Sequence, residues 1–132
     1  MTLLDTHVLL WLRAGEQRLG PRARREIDRA WRSDEVCVSS ISFWEIAMLQ
    51  QKGRIALRNE VEPWRRQLLR EGIIEIPIDG QVGIRAVGLV GFHSDPADRL
   101  IVATALDGHR LVTGDKRILG WSGRLDRLAA TE

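Results

Sequence analysis

The feature that most constrains the fold is a regular alternation of short apolar runs with longer amphipathic stretches. The apolar runs are rich in β-branched residues and read as strands, whereas the stretches between them carry apolar residues at helical spacing. Strands are predicted at 2–4, 36–39, 73–78 and 110–113, with a last edge strand at 125–129. Helices are predicted at 8–12, 21–32, 40–51, 63–70, 80–90 and 97–106. Strands that alternate with helices favour an α/β fold with a parallel sheet.

The 132 residues match the size of one ordinary domain, so a single domain over residues 1–132 is expected. Hydrophobic residues make up 44% and charged residues 29%, which is typical of a globular chain and excludes a disordered one. The formal net charge of +2 is compatible with nucleic acid but indicates a local contact track and not a broad basic surface.

The chain shows no sign of export. Cys37 is the single cysteine, which excludes an intrachain disulfide framework, and it lies in an apolar run typical of a buried residue. There is no apolar run of about 18 residues and no basic start followed by a long apolar stretch. We therefore expect a cytoplasmic protein without membrane contact.

Two acidic residues follow predicted strands. Asp5 comes directly after the first strand, and Asp115 follows the fourth strand after Gly114. Either residue alone can be a helix cap or a turn residue. In open α/β sheets, however, the carboxyl ends of the strands form the ligand crevice.

Two further acidic residues interrupt apolar helix faces. Glu45 lies one turn from Ile41 and Leu49, although Ser42 and Glu45 also fit a capping box, which is a purely structural alternative. Asp98 heads the stripe of residues 101, 102 and 105, although an acid in a first turn also suits the helix dipole. Asp95 is the better candidate for the cap of that helix.

If strands one and four are neighbours, all four carboxylates converge in one crevice. They would raise one another's pKa unless a cation neutralised them. Oxygen ligands suit Mg²⁺ or Mn²⁺, which acidifies water and stabilises phosphoryl charge. Thr6, Thr113 and Asp95 are placed to orient these acids. Metal-assisted phosphodiester hydrolysis is the reaction that such a site favours.

Other site types fit the residues poorly. His7, His93 and His109 lack the H-E-x-x-H spacing of a zinc protease, and no P-loop or G-x-G-x-x-G motif is present. A phosphoacceptor or phosphatase domain with an acidic Mg²⁺ pocket is a third candidate class. Dehalogenase-type sites want Asp-x-Asp after strand one, where this chain has His7, and receiver-type sites want an acid where it has Ser39.

Four blocks together resemble a PIN domain of the VapC family, the toxins of type II toxin–antitoxin systems. They are residues 3–7 (LLDTH), 39–47 (SSISFWEIA), 95–105 (DPADRLIVATA) and 111–115 (LVTGD). The resemblance covers nearly the whole chain. It implies a three-layer α/β/α PIN-like fold with a central, mainly parallel sheet of four to five strands.

The resemblance also implies a function. It predicts a Mg²⁺- or Mn²⁺-dependent endoribonuclease that hydrolyses RNA phosphodiester bonds, is inhibited by a VapB-like antitoxin, and forms a homodimer. The catalytic and metal-binding positions of the family correspond to Asp5, Glu45, Asp98 and Asp115. The alternative is a non-catalytic PIN-fold module that binds RNA or protein, against which the complete acid set argues.

Basic residues beside the acids are candidate RNA-phosphate contacts, because arginine suits bidentate phosphate binding. They are Arg99, Lys116, Arg117 and Arg13. Five of the seven aromatic residues are tryptophan. Most are expected in the core, and some are expected on surfaces that an antitoxin or a second protomer covers.

Overall fold

A computed structural model describes all 132 residues and contains a five-stranded sheet in the order β3-β2-β1-β4-β5. Every neighbouring pair of strands runs parallel. The strands are β1 Thr2–Leu4, β2 Val36–Ser39, β3 Ile74–Ile76, β4 Arg110–Thr113 and β5 Arg127–Ala129. Strands one and four are neighbours, so the condition for bringing their terminal acids together is met, and the predicted edge position of the last strand is confirmed.

Seven helices connect the strands. They are α1 Thr6–Ala14, α2 Pro21–Arg32, α3 Ser40–Gln51, α4 Val61–Arg70, α5 Gly80–Val87, α6 Pro96–Ala105 and α7 Lys116–Leu119. None of them is both long enough and apolar enough to cross a membrane.

The helices cover both faces of the sheet. In β1, Leu4 belongs to a buried cluster with residues of α1, α2, α3 and α4, whereas Leu3 belongs to a second cluster with residues of α6 and α7. Alternate residues of a strand point to opposite faces, which explains this division. Helix α5 packs on the outer side of α6. The predicted three-layer α/β/α arrangement is therefore confirmed.

Helix starts follow the polar residues in the sequence. Asp79 Oδ1 accepts a hydrogen bond from the Val82 N–H at 2.9 Å, and Asp95 Oδ1 accepts one from the Asp98 N–H at 3.0 Å. Both residues are helix N-caps, which confirms the prediction for Asp95. Helix α7 was not predicted, because a four-residue helix carries no periodic pattern.

Three elements are shorter than predicted, one of them β5, which begins at Arg127 and not at residue 125. Strand β3 ends at Ile76, directly before Pro77, whose missing N–H ends the ladder of hydrogen bonds. Helix α5 ends at Val87 and not near residue 90, since two glycines follow and Gly91 has a left-handed φ of 69°. The segment 88–95 is consequently a turn that leads into α6.

Candidate metal centre

The site is built at the carboxyl ends of β1 and β4. In the register of these strands Leu4 pairs with Val112, so Asp5 and the residues after β4 lie next to each other. The Asp5 N–H also donates to the Val112 carbonyl at 3.0 Å, which extends the pairing to the acid itself. Parallel pairing of the two strands thus unites Asp5 and Asp115 from distant parts of the chain.

Asp5 is only 3% exposed, although it carries a carboxylate. Its Oδ1 accepts the Thr6 N–H at 2.8 Å, and its Oδ2 accepts the Thr113 hydroxyl at 2.7 Å. The Thr113 oxygen in turn accepts the Asp115 N–H at 3.0 Å. Thr113 therefore connects the two strand-end acids and fixes the position of one relative to the other.

Glu45 is held by a chain of hydroxyl groups. Thr6 Oγ1 donates to Glu45 Oε1 at 2.5 Å, and Ser42 Oγ lies 2.8 Å from the same threonine oxygen. The N-cap of α3 is Ser39, whose side chain accepts the Ile41 N–H. The capping-box alternative is therefore wrong: Ser42 lies within the helix and its hydroxyl is directed at Thr6.

The carboxylates affect one another's ionisation. Burial is the main cause that raises the pKa of Glu45 to about 6, with the charges of Asp5, Asp98 and Asp95 acting in the same direction and the Thr6 hydrogen bond acting against them. Burial likewise raises the pKa of Asp98, with Asp5, Asp95 and Asp115 contributing. This repulsion among buried acids is what a divalent cation relieves.

Asp98 has a partner that sequence patterns do not indicate. The Nε2 atom of His93 lies 2.6 Å from Asp98 Oδ2. Potential ligand atoms of His93, Asp98 and Asp115 all lie within 4.8 Å of one another. The only sequence signal for His93 is its place five residues before Asp98, and the turn that brings them together has no helical periodicity to reveal it.

Arg117 lies beside the same carboxylates. Its Nη2 is 3.2 Å from Asp115 Oδ2 and 3.4 Å from Asp98 Oδ2. Burial acts to raise the pKa of Asp115, but the hydrogen bonds and charge of Arg117 outweigh it and lower that pKa. The exposed guanidinium is therefore the positive charge closest to these two acids in the metal-free protein.

Two other candidate RNA contacts are already engaged. The Arg99 guanidinium donates to the backbone carbonyls of residues 86, 87, 89, 92 and 93. Arg13 forms a two-pronged ion pair with Glu71 at 2.9 and 3.0 Å. These contacts argue against both arginines as phosphate ligands, whereas Lys116 is exposed at the first position of α7.

The residues present suit a divalent metal ion. The cluster offers carboxylate oxygens, which are the ligands that Mg²⁺ and Mn²⁺ prefer. All buried side-chain nitrogen and oxygen atoms have hydrogen-bond partners, so the site is already organised. The potential ligand atoms that lie within 4.8 Å of one another belong to His93, Asp98 and Asp115, whereas Asp5 and Glu45 are outside this close group.

Comparison with known proteins assigns the family. The PIN domain family matches residues 2–120. A relative, Ribonuclease VapC22 of Mycobacterium tuberculosis (strain ATCC 25618 / H37Rv), is 44% identical over 118 residues, which are 88% of each chain. The chain belongs to the VapC family of PIN-domain proteins. The predicted resemblance is thereby confirmed.

The fold of this PIN domain also has a counterpart among solved structures. A toxin–antitoxin complex from Klebsiella pneumoniae contains a chain that superposes with a TM-score of 0.69 and covers 98% of both chains. The sequence identity to that chain is 22%, so the likeness concerns the fold alone.

Replacing Glu45 with glutamine should stabilise the metal-free protein at high pH. Because the folded-state pKa of about 6 exceeds the ordinary value of 4.5, the glutamate costs stability as pH rises through this window. The shift corresponds to about 2 kcal/mol at pH 8. Thermal unfolding in EDTA should show a Tm several degrees above that of the unmodified protein at pH 8 and a much smaller difference at pH 5.

Glu75 provides a control because its substitution should have the opposite effect on stability. Its pKa is lowered, chiefly by the Arg65 hydrogen bonds. The ionised Glu75 therefore stabilises the fold at pH values above its ordinary pKa, and this stabilisation is lost on acidification. Glu75→Gln should therefore destabilise at pH 8. Equal Tm changes for Glu45→Gln at both pH values would contradict the raised pKa.

Proposed function

We propose that this PIN domain is a metal-dependent endoribonuclease toxin of a type II toxin–antitoxin system. The proposal is supported by the placement of Asp5 and Asp115 directly after β1 and β4, and by the charges of these acids, Glu45 and Asp98 acting on one another. The activity of the 44% identical Mycobacterium relative, as its name gives it, supports the substrate class. The reaction is hydrolysis of RNA phosphodiester bonds.

Asp5, Glu45, Asp98 and Asp115 would hold Mg²⁺ or Mn²⁺. The bound cation would acidify water and stabilise negative charge on the phosphoryl oxygens. Thr6 donates a hydrogen bond to Glu45 Oε1 and thereby leaves Oε2 available to bind the cation. Thr113 sets the spacing between Asp5 and Asp115. Because these supports are buried, the acids keep their geometry before substrate arrives.

Cleavage of RNA by the purified protein tests this function. Total RNA resolved on a gel should show discrete cuts with Mg²⁺ or Mn²⁺ and none with EDTA. A folded sample that binds RNA and metal but leaves the RNA intact would support the non-catalytic alternative instead. Four carboxylates make no contacts that distinguish bases, so the cut sites themselves must define the target.

Arg117 gives the proposal a test with two opposite effects. With a cation bound to these acids, Arg117 would no longer be needed to neutralise them, and its guanidinium would be available for a substrate phosphate. Arg117→Gln should therefore bind Mn²⁺ several-fold more tightly, yet cleave RNA about tenfold more slowly at saturating metal. Calorimetry and initial cleavage rates measure the two effects.

The exposed Arg124 supplies the matched control for this prediction. Arg124→Gln should change neither metal affinity nor cleavage rate. If Arg117→Gln also leaves both quantities unchanged, Arg117 is an ordinary surface residue. Weaker metal binding by Arg117→Gln would mean that the arginine supports the acids and does not compete with the cation.

We assign the antitoxin to the surface beside Glu45. Trp44 on α3 is 57% exposed, and with Ala47, Met48 and Glu60 it lines an open groove. A partner bound there would lie next to a metal-binding residue and could block access of RNA. The toxin–antitoxin complex that shares the fold is consistent with such a partner. Exposed aromatic residues are favoured at protein interfaces.

A second apolar surface is proposed to form the homodimer. Ile84, Val87 and Val90 are 78%, 82% and 84% exposed, although all three are aliphatic. Aliphatic side chains this exposed and this close in sequence are typical of an interaction surface. Light scattering should give a dimer mass for the protein and a monomer mass for Val87→Glu. A monomer before substitution would contradict the proposal.

A further inference from the structure

We infer that His93 is a positioning residue that orients Asp98 for metal binding. The inference rests on the proposed function, because it concerns how one of the four acids is presented to the cation. It adds a residue that is neither one of the four acids nor a predicted support for them.

The contact between the two side chains is short and shielded. His93 Nε2 lies 2.6 Å from Asp98 Oδ2, and the side chains are only 18% and 13% exposed. An ionised carboxylate can only accept hydrogen bonds, so Nε2 carries the proton that is shared. The second donor to this oxygen, Arg117 Nη2, lies farther away at 3.4 Å. His93 therefore occupies Oδ2 and leaves Oδ1 for the cation.

The imidazole ring is itself fixed in place. It stacks on Phe92 with ring centres 4.3 Å apart, and Phe92 meets the edge of Trp121 at 5.5 Å. The Arg99 Nε donates to the His93 carbonyl at 2.8 Å. A ring held by both stacking and backbone contacts can hold a carboxylate in one rotamer, as supporting residues of metal ligands commonly do.

Direct coordination by His93 is the competing arrangement, since its ligand atom lies within 4.8 Å of those of Asp98 and Asp115. To coordinate, Nε2 would have to give up its 2.6 Å hydrogen bond to Asp98. The two arrangements differ in metal preference. Imidazole is a better ligand for Mn²⁺ than for Mg²⁺, whereas a correctly oriented carboxylate serves both ions.

Metal binding by the RNA-free protein tests the inference. Three variants distinguish the effect of the Nε2–H donor from the effect of the aromatic ring. His93→Gln retains an N–H at a reach similar to Nε2, His93→Asn is too short, and His93→Phe keeps the stack on Phe92 but has no donor. Calorimetric titration with Mg²⁺ and with Mn²⁺ gives the affinities, and His109→Asn, at the opposite end of the sheet, is the control.

We expect the Asn and Phe variants to bind both ions about 10- to 100-fold more weakly and the Gln variant to stay within about threefold of the unmodified protein. Unchanged affinity in the Phe variant overturns the inference, as does an equal loss in the Gln variant. A loss confined to Mn²⁺ overturns it in favour of direct coordination. If the Asn variant does not fold, the affinities of the Phe and Gln variants still test the inference.

The measurement is independent of RNA cleavage. A protein that binds metal in this His93-dependent way but cuts no RNA would refute the proposed function and leave the inference intact. A protein that cuts RNA while all variants bind metal equally would support the proposed function and refute the inference. In the active case, His93→Phe should lower kcat at fixed metal and leave KM for RNA unchanged, because the ring does not contact substrate.

Discussion

Asp98→Asn is expected to abolish metal-dependent RNA cleavage, with a rate loss of about 100-fold or more. The substitution keeps the shape of the side chain and its ability to accept the His93 hydrogen bond, but it removes the charge that holds the cation. The initial cleavage rate of a labelled RNA at fixed Mg²⁺ measures the effect. The fold should persist, because burial raises the pKa of Asp98 and an uncharged group there relieves repulsion.

Asp95→Asn is the matched control for this variant. Asp95 carries the same functional group three residues away and caps α6 through the Asp98 N–H. Asparagine caps helices about as well as aspartate, so α6 should form normally. We expect Asp95→Asn to retain most of its activity. Equal losses in both variants would mean that overall negative charge, and not coordination by Asp98, governs cleavage.

Arg99→Ala is expected to destabilise the fold by about 3 kcal/mol, because hydrogen bonds from a charged donor to several carbonyls are lost at once. The guanidinium joins the end of α5, the turn after it and the start of α6, at distances from 2.7 to 3.4 Å. Urea unfolding without metal measures the change in the free energy of unfolding. Arg99→Lys should recover little, since one ammonium group cannot reach all of these carbonyls.

The same variants separate a structural role of Arg99 from the predicted role in RNA binding. An arginine that contacts phosphate would leave stability unchanged and reduce both RNA affinity and its dependence on salt. Arg66→Ala on the exposed side of α4 controls for the loss of a positive charge. If Arg99→Ala has normal stability and weakened RNA binding, the structural role of Arg99 is wrong.

The features that could be predicted from the sequence are those with local or periodic signals. Strand and helix alternation predicted the layers, and Asp79 and Asp95 marked helix starts. The acids Glu45 and Asp98 stood out because a charge on an apolar helix face conflicts with its surroundings. Each of these signals is contained in a few consecutive residues.

The features that could not be predicted depend on contacts across turns. Ser42 resembled a helix cap, but its hydroxyl is directed at Thr6 of another helix. Arg99 resembled a phosphate ligand because it follows Asp98, yet its long side chain reaches back to the turn before α6. His93 likewise gains its role only when that turn folds. Composition and motif spacing do not determine the direction of a side chain.

The position of β1 between β2 and β4 has a consequence for biosynthesis. Asp5 is made before β4, which ends at Thr113 and is followed by Asp115, and Thr113 donates to the Asp5 carboxylate. During translation, β1 emerges before its neighbour β4. Until β4 follows, the acidic cluster lacks Thr113 and Asp115. We therefore expect a ribosome-bound chain to lack nuclease activity until β4 has left the exit tunnel and paired with β1.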